Sequence, residues 1–430
     1  MILRDRRMQL VLALVAVVAT GCRERKQEYE GPYGRQVAEA IPLIERGTGL
    51  RFKRPPKVEA RSKAQVREFV LAQITKPVAQ REMAGQEAAY KRFGMIPDTL
   101  NLREYLVSLL EEQIVGYYDP ATDVLYVVEG SPDDIVGLTI THELVHALQD
   151  QYVDLEAQQN LEGENDRQSA GQAVFEGQAV YEQIAAMLGG GNVAVNLPGG
   201  WDRVREMIRE NQASMPVFGR APLVVQETLI FPYLSGAEFI RGFKTRNPAG
   251  TPYSDMPVST EQILHPAAYF GTRDHPTRIT LGPVRGTKRY ENTLGEFETR
   301  LFLYQHTEDQ NDAIRGATGW DGDRYALIDT PAGEALVWIT VWDSAVEAGE
   351  FREVMQSALE RKTLVGGSAE SETTRVYTNM GRTSRLITAE VGGRPLVIYT
   401  DAPASVAGEL VDIAGIKLEE SAPAEPARTP

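Results

Sequence analysis

The sequence of 430 residues contains one cysteine and five histidines. A single thiol cannot close a disulfide within the chain, so no disulfide framework holds this fold. No segment reaches the ~20 consecutive apolar residues that a membrane-crossing helix needs. Basic charge is in deficit: 45 Lys and Arg stand against 60 Asp and Glu, a net charge of −15. With no basic block, the chain lacks the phosphate-neutralising side chains that supply most nucleic-acid affinity, and that partner class is excluded. Apolar residues are not scarce. At 42% hydrophobic content the chain as a whole is not disordered. Its length allows two or three domains whose cores need no cross-links.

The N-terminus carries an address. Arg4, Arg6 and Arg7 precede an apolar run from Leu10 to Ala19, too short to span a bilayer and flanked like an export signal over residues 1–22. Ala19-Thr20-Gly21-Cys22 resembles a bacterial lipobox. That resemblance implies lipidation of Cys22 and a protein of the bacterial cell envelope, anchored in a membrane and facing outside the cytoplasm, in the periplasm or at the outer membrane. Residues 23–34 then read as a polar tether.

Periodicity divides the remainder into an α+β chain of two parts. Residues 35–289 read as a mainly helical domain with a small β-hairpin. Helices are expected over Ala64–Ile74, Ala79–Phe93, Leu102–Ile114, Asp133–Tyr152, Gly171–Leu188, Trp201–Gln212 and Leu234–Lys244. Gly116–Tyr118 and Val124–Val128 flank the turn residues Asp119-Pro120-Ala121-Thr122-Asp123 and predict the hairpin. Residues 290–418 read as an α+β module, with helices at Leu294–Tyr304 and Ala345–Leu359. Its strands are expected at Leu336–Trp342, Thr374–Tyr377, Ser384–Val391 and Pro395–Tyr399. Trp320, Trp338 and Trp342 are expected in its core. Residues 419–430, rich in Pro, Ala and Glu, read as a disordered tail.

The chemistry is concentrated in Thr141-His142-Glu143-Leu144-Val145-His146. Two histidines four apart share one helix face, so both imidazoles can reach one cation. Glu143 leaves the backbone one residue on and can reach a water on that cation without ligating it. A catalytic zinc site needs a third protein ligand. A third histidine six residues beyond His146 is excluded, because Gln149 and Tyr152 occupy the diagnostic places. A carboxylate from the following helix remains: Glu176, in Phe175-Glu176-Gly177-Gln178-Ala179, with Glu156, Glu162, Glu164 and Glu182 as competitors. Asp150, one turn past His146, is a candidate to hold an imidazole from behind, or else a surface acid. His275 and His306 read as surface residues.

His142-Glu143-x-x-His146 followed by Glu176-Gly177-x-Ala179 resembles the gluzincin metallopeptidases. It is similar to uncharacterised bacterial lipoprotein metallopeptidases, as are Gly116-Tyr117-Tyr118-Asp119, Ser259-Thr260-Glu261-Gln262-Ile263-Leu264-His265-Pro266 and Gly319-Trp320-x-Gly322-Asp323-Arg324-Tyr325. The zinc motif covers about residues 111–188, and the looser likeness extends to about 360. The resemblance implies a zincin-like catalytic fold with one zinc per chain on His142, His146 and Glu176. It implies hydrolysis of a peptide or protein substrate by metal-activated water, with Glu143 as general base. It implies a downstream His or Tyr as oxyanion donor: His265 is the first choice, with Tyr269 and Tyr233 as alternatives. Val124–Val128 would be the edge strand that flanks the substrate. Two rival readings share these residues: a non-catalytic binding or scaffold lipoprotein, and a zinc hydrolase of a non-peptide substrate.

Overall fold

The computed structural model describes residues 29, 31–54, 56–188, 206, 209, 210, 215–406 and 408–420. The export signal, Cys22, residues 23–28 and 30 of the tether, most of the expected Trp201–Gln212 helix and the last ten residues lie outside the described residues. No helix among the described residues is long and apolar enough to cross a membrane.

The chain is mixed α+β. In order it forms α1 (Gly34–Thr48), β1 (Lys57–Arg61), α2 (Lys63–Ile74), α3 (Pro77–Phe93), α4 (Leu102–Gln113), β2 (Gly116–Asp119), β3 (Val124–Val128), α5 (Asp133–Asp150), α6 (Leu155–Gln159) and α7 (Asn165–Met187). Then come α8 (Leu223–Arg246), α9 (Thr260–Leu264), α10 (Pro266–Phe270), β4 (Thr277–Thr280), β5 (Thr287–Asn292), α11 (Gly295–Thr307) and α12 (Gln310–Ala317). The last segment holds β6 (Trp320–Thr330), β7 (Gly333–Trp342), α13 (Ala345–Thr363), β8 (Ser368–Ala369), β9 (Thr374–Asn379), β10 (Arg382–Val391), β11 (Arg394–Pro403) and β12 (Lys417–Glu420).

The expected hairpin forms as β2 and β3, but β3 is not an edge. It is the middle strand of a three-stranded sheet ordered β1-β3-β2, with β1 parallel to it and β2 antiparallel. All five residues of β3 are buried, as expected of a continuous apolar run covered on both faces. The strand that borders the candidate site is therefore β2. Helix α5 covers the sheet and α1 packs on α5: Val37, Ile41 and Ile44 join Leu125, Val127, Val136, Ile140, Leu144 and Leu148 in one cluster. Neither α1 nor β1 is expected from local pattern, and Ile135 of α5 faces solvent rather than the core.

Helix α7 begins about two turns before the expected Gly171. The N–H of Asn165 is capped by Asn292 Oδ1 at 2.8 Å and that of Asp166 by Thr293 Oγ1 at 3.1 Å. Both partners come from over a hundred residues away, so the helix start has no local signature.

The C-terminal part is a seven-stranded antiparallel sheet, β5-β6-β7-β11-β10-β9-β8, with α11 and α13 packed against it and α12 packed on those two helices. Its strand run is legible because Val337, Trp338, Ile339 and Val341 are all fully buried. The three expected core tryptophans, Trp320, Trp338 and Trp342, are buried. One face of the sheet has a core of its own, with Ile328, Val337, Ile339, Leu396 and Ile398 in one cluster, while the other face shares its core with the helical part. Phe93 of α3 packs edge-on against Phe302, Tyr325 and Trp338, with centroids 5.7, 5.5 and 5.3 Å away, and one apolar cluster runs from α3 and α7 to β11. His306 is part of this seam and not a surface residue: its Nε2 bonds the Phe93 carbonyl at 2.9 Å, and burial pushes the imidazole down to about 4. The expected tail also starts late, because Glu419 and Glu420 belong to β12, which pairs with β4.

Candidate metal centre

Helix α5 carries His142, Glu143 and His146, and α7 carries Glu176. The two helices pack together. The Nε2 atoms of His142 and His146 are 3.2 Å apart, and Glu176 Oε2 lies 3.2 Å from the first and 3.4 Å from the second. Three ligand atoms bound tetrahedrally at zinc-type distances of 2.0–2.2 Å stand about 3.3–3.6 Å from one another. The triangle therefore fits a small cation as it stands, and its two imidazoles and one carboxylate are a zinc-type donor set.

The charges are mutually adjusted. Burial opposes a charge on His146, but Glu176 outweighs it and the imidazole is pushed up to about 9. Burial would raise the Glu176 carboxyl, yet the two histidines hold it well below the usual carboxylate range. A cation on the three atoms would replace that proton-mediated pairing.

Behind His146 stands a residue the sequence reading missed. Gln149 Oε1 lies 2.8 Å from His146 Nδ1, and Gln149 Nε2 donates to the Phe175 carbonyl at 3.0 Å. The amide is fully buried. Its carbonyl end requires a proton on Nδ1, which leaves the Nε2 lone pair for a cation. Gln149 follows His146 by three residues, so helix periodicity alone puts it on the same face. Asp150 does not hold an imidazole: it accepts from the Tyr118 hydroxyl at 2.8 Å.

Glu143 is positioned from the sheet. The Tyr118 N–H, on β2, donates to Glu143 Oε2 at 2.9 Å. Tyr233 of α8 completes the group. Its ring stacks near His142, centroids 6.2 Å apart. Glu176, burial and Glu143 together push its hydroxyl far above the ordinary tyrosine value, so it stays a donor.

Tyr233 is brought here by a glycine contact. Helices α7 and α8 cross with Gly177 against Gly236. A Cβ on Gly177 would lie 2.1 Å from the Gly236 carbonyl carbon, and one on Gly236 would lie 2.0 Å from the Ala173 carbonyl oxygen. Backbone meets backbone at that crossing, which explains why glycine follows Glu176.

The competing acids are all engaged elsewhere. Glu182 is buried against Lys244 at 3.8 Å, Glu164 pairs with Arg324 at 3.0 Å, and Glu156 and Glu162 each have a basic partner at 3.5 Å. His265 is not in this site. Its Nε2 lies 2.9 Å from the buried Glu296 carboxylate, beside Arg300, because its place before Pro266 turns it toward α11. Tyr269 donates instead to the Asp255 carbonyl at 2.7 Å. Neither lines the cleft above the triangle, a space of about 550 Å³ whose wall includes Phe69, Tyr117, Tyr118, Phe175 and Tyr233.

Two other quoted motifs tie the two parts of the chain together. Thr260 donates its N–H and its hydroxyl to Asp166 at the start of α7, and its Oγ1 accepts from the Phe297 N–H of α11 at 3.1 Å. Arg324 donates to the Gly163 carbonyl at 2.6 Å and pairs with Glu164 at 3.0 Å.

A family model described as a domain of unknown function (DUF8575) matches residues 282–410. That span is the antiparallel sheet with its helices and excludes the His142 centre. No curated protein and no solved structure matches the chain.

Proposed function

We propose that this chain is a zinc-dependent peptidase with a zincin-like catalytic half, exported and held to a bacterial membrane by lipid on Cys22. The observation that carries the reading is the triangle of His142 Nε2, His146 Nε2 and Glu176 Oε2, with Glu143 beside it and held by the Tyr118 N–H. Zinc held by His142, His146 and Glu176 would act as a Lewis acid and lower the pKa of water to about 7.

The chain's own groups supply the rest. The Tyr118 N–H holds Glu143 Oε2, which leaves the other carboxylate oxygen to take a proton from the attacking water and pass it to the leaving nitrogen. The protonated Tyr233 hydroxyl is the donor for the negative oxygen that develops on the scissile carbonyl. An extended substrate would lie along β2, the strand bordering the cleft, with its backbone paired to the strand and its side chains against Phe69, Tyr117 and Phe175.

Zinc content of a soluble form starting at Arg23, after dialysis against a weak chelator, tests the reading without a guess about substrate. About one zinc per chain, lost in Glu176→Ala, is expected. A peptide screen follows, with Glu143→Gln as the inactive control. A folded chain that retains no zinc overturns the proposal. Full zinc with no turnover of any peptide leaves the binding lipoprotein in its place.

A further inference from the structure

A second group of ligating side chains lies away from the cleft. Glu261 of α9, Asp274 in the loop after α10 and Asp343 just past β7 each offer a carboxylate oxygen, and these oxygens lie within 4.8 Å of one another. Glu261 is 5% exposed, and its Oε2 makes no hydrogen bond. Among the described residues no basic side chain pairs with any of the three. Arg273 bonds Asp255 and lies over the Tyr269 ring, and Arg394, the cation whose charge reaches Asp343, bonds Asp321. An ionised carboxylate without water or a cation is strongly disfavoured in a protein interior. Such a group either keeps a proton or takes a metal ion.

The surroundings favour the ion. The group is held rigidly: Gln262 Nε2 donates to the Asp274 carbonyl, and the Asp343 N–H bonds the Gly319 carbonyl at 3.0 Å. It is graded in exposure, with Glu261 buried, Asp274 half-buried and Asp343 exposed. That leaves one side open for entry and for water ligands. All donors are oxygens, the set preferred by hard cations. Two oxygens on one calcium ion, each 2.3–2.6 Å away, can stand up to about 5 Å apart; magnesium needs a tighter, octahedral set. The three oxygens, all within 4.8 Å of one another, lie within the span that one calcium ion can bridge.

We infer that Glu261, Asp274 and Asp343 form a structural calcium site that fastens the end of β7 to the α9–α10 segment. The ion would join the C-terminal sheet to the part of the chain that carries the catalytic centre.

The test is calorimetric titration of the metal-stripped intact chain with CaCl2, with thermal unfolding measured in parallel. Binding of one calcium per chain and a raised Tm are expected. Asp343→Asn, at an exposed position that folding tolerates, should weaken binding at least tenfold, and Glu261→Gln should do the same. His142→Ala should leave it unchanged. No heat and no Tm shift with CaCl2 would overturn the inference and assign Glu261 a proton instead. Calcium binding that is unaffected by Asp343→Asn, or lost in His142→Ala, would overturn it equally.

Discussion

Gln149 Oε1 stands 2.8 Å from His146 Nδ1, so a buried amide, not the neighbouring carboxylate of Asp150, orients this ligand. Removing a group that orients a zinc ligand typically costs 10–100-fold in metal affinity. Gln149→Ala should therefore weaken zinc by about that factor in a competition titration with a chelator. Asp150→Asn should leave zinc affinity unchanged. Equal effects from the two variants would contradict the assignment.

Glu143→Gln keeps an acceptor for the Tyr118 N–H but cannot take a proton. Turnover should fall by roughly 10²–10⁴, while zinc content stays at one per chain. A variant that loses its metal instead would place Glu143 among the ligands.

Tyr233 and His265 are separated by the same logic. Loss of one oxyanion donor costs about 10²–10³ in kcat. Tyr233→Phe should lower kcat by that factor with little change in KM. His265→Ala should leave kcat alone and act only on stability, through the Glu296 and Arg300 pairing it breaks.

Gly177→Ala puts a methyl group into the Gly236 backbone. Overpacking of this kind costs about 1–3 kcal/mol. Chemical denaturation should show that loss, and zinc binding should weaken with it because Glu176 is the adjacent residue. An unaltered denaturation midpoint would mean that the two helices are not in contact there.

The buried acids give the stability a pH dependence. Burial raises the Asp166 carboxyl to about 7 and the Glu298 carboxyl to about 8. A carboxyl with a raised pKa holds its proton longer in the folded state, so stability falls as pH rises past its unfolded value. In the metal-free chain His146, raised to about 9, acts in the same direction above pH 6.5. His306, pushed down to about 4, opposes this only below that pH. Between pH 6.5 and 8 the Tm should drop by roughly 2–4 °C. Asp166→Asn, which keeps the acceptor for the Thr260 N–H, should flatten the curve.

The part of this molecule that local pattern reveals is the part built from local contacts. His142, Glu143 and His146 lie within one helix, and Glu176 follows on α7, beyond only the short α6, so the separation in sequence is small. The β2–β3 hairpin and the buried run of β7 are likewise written in consecutive residues. What escaped depends on distant partners. Strand β1 exists because it pairs with β3, more than sixty residues on. Helix α7 begins where Asn292 and Thr293 cap it. His265 looked catalytic beside its proline, yet a buried acid thirty-one residues later claims it. Tyr233 carries no motif of its own and arrives at the centre only because two glycines let two helices touch.

The pairing of β4 with β12 sets an order on biogenesis. Strand β4 emerges from the ribosome before the whole antiparallel sheet, and β12 only after it. Neighbouring strands such as β6 and β7 or β10 and β11 can zip as hairpins while synthesis continues, because their contacts are short in sequence. The β4–β12 ladder has to wait until all the strands between them have been made. Until then β4 presents an open edge, the kind of surface that nascent chains lose to aggregation and that chaperones guard. Trimming the chain just before Lys417 would make that temporary condition permanent.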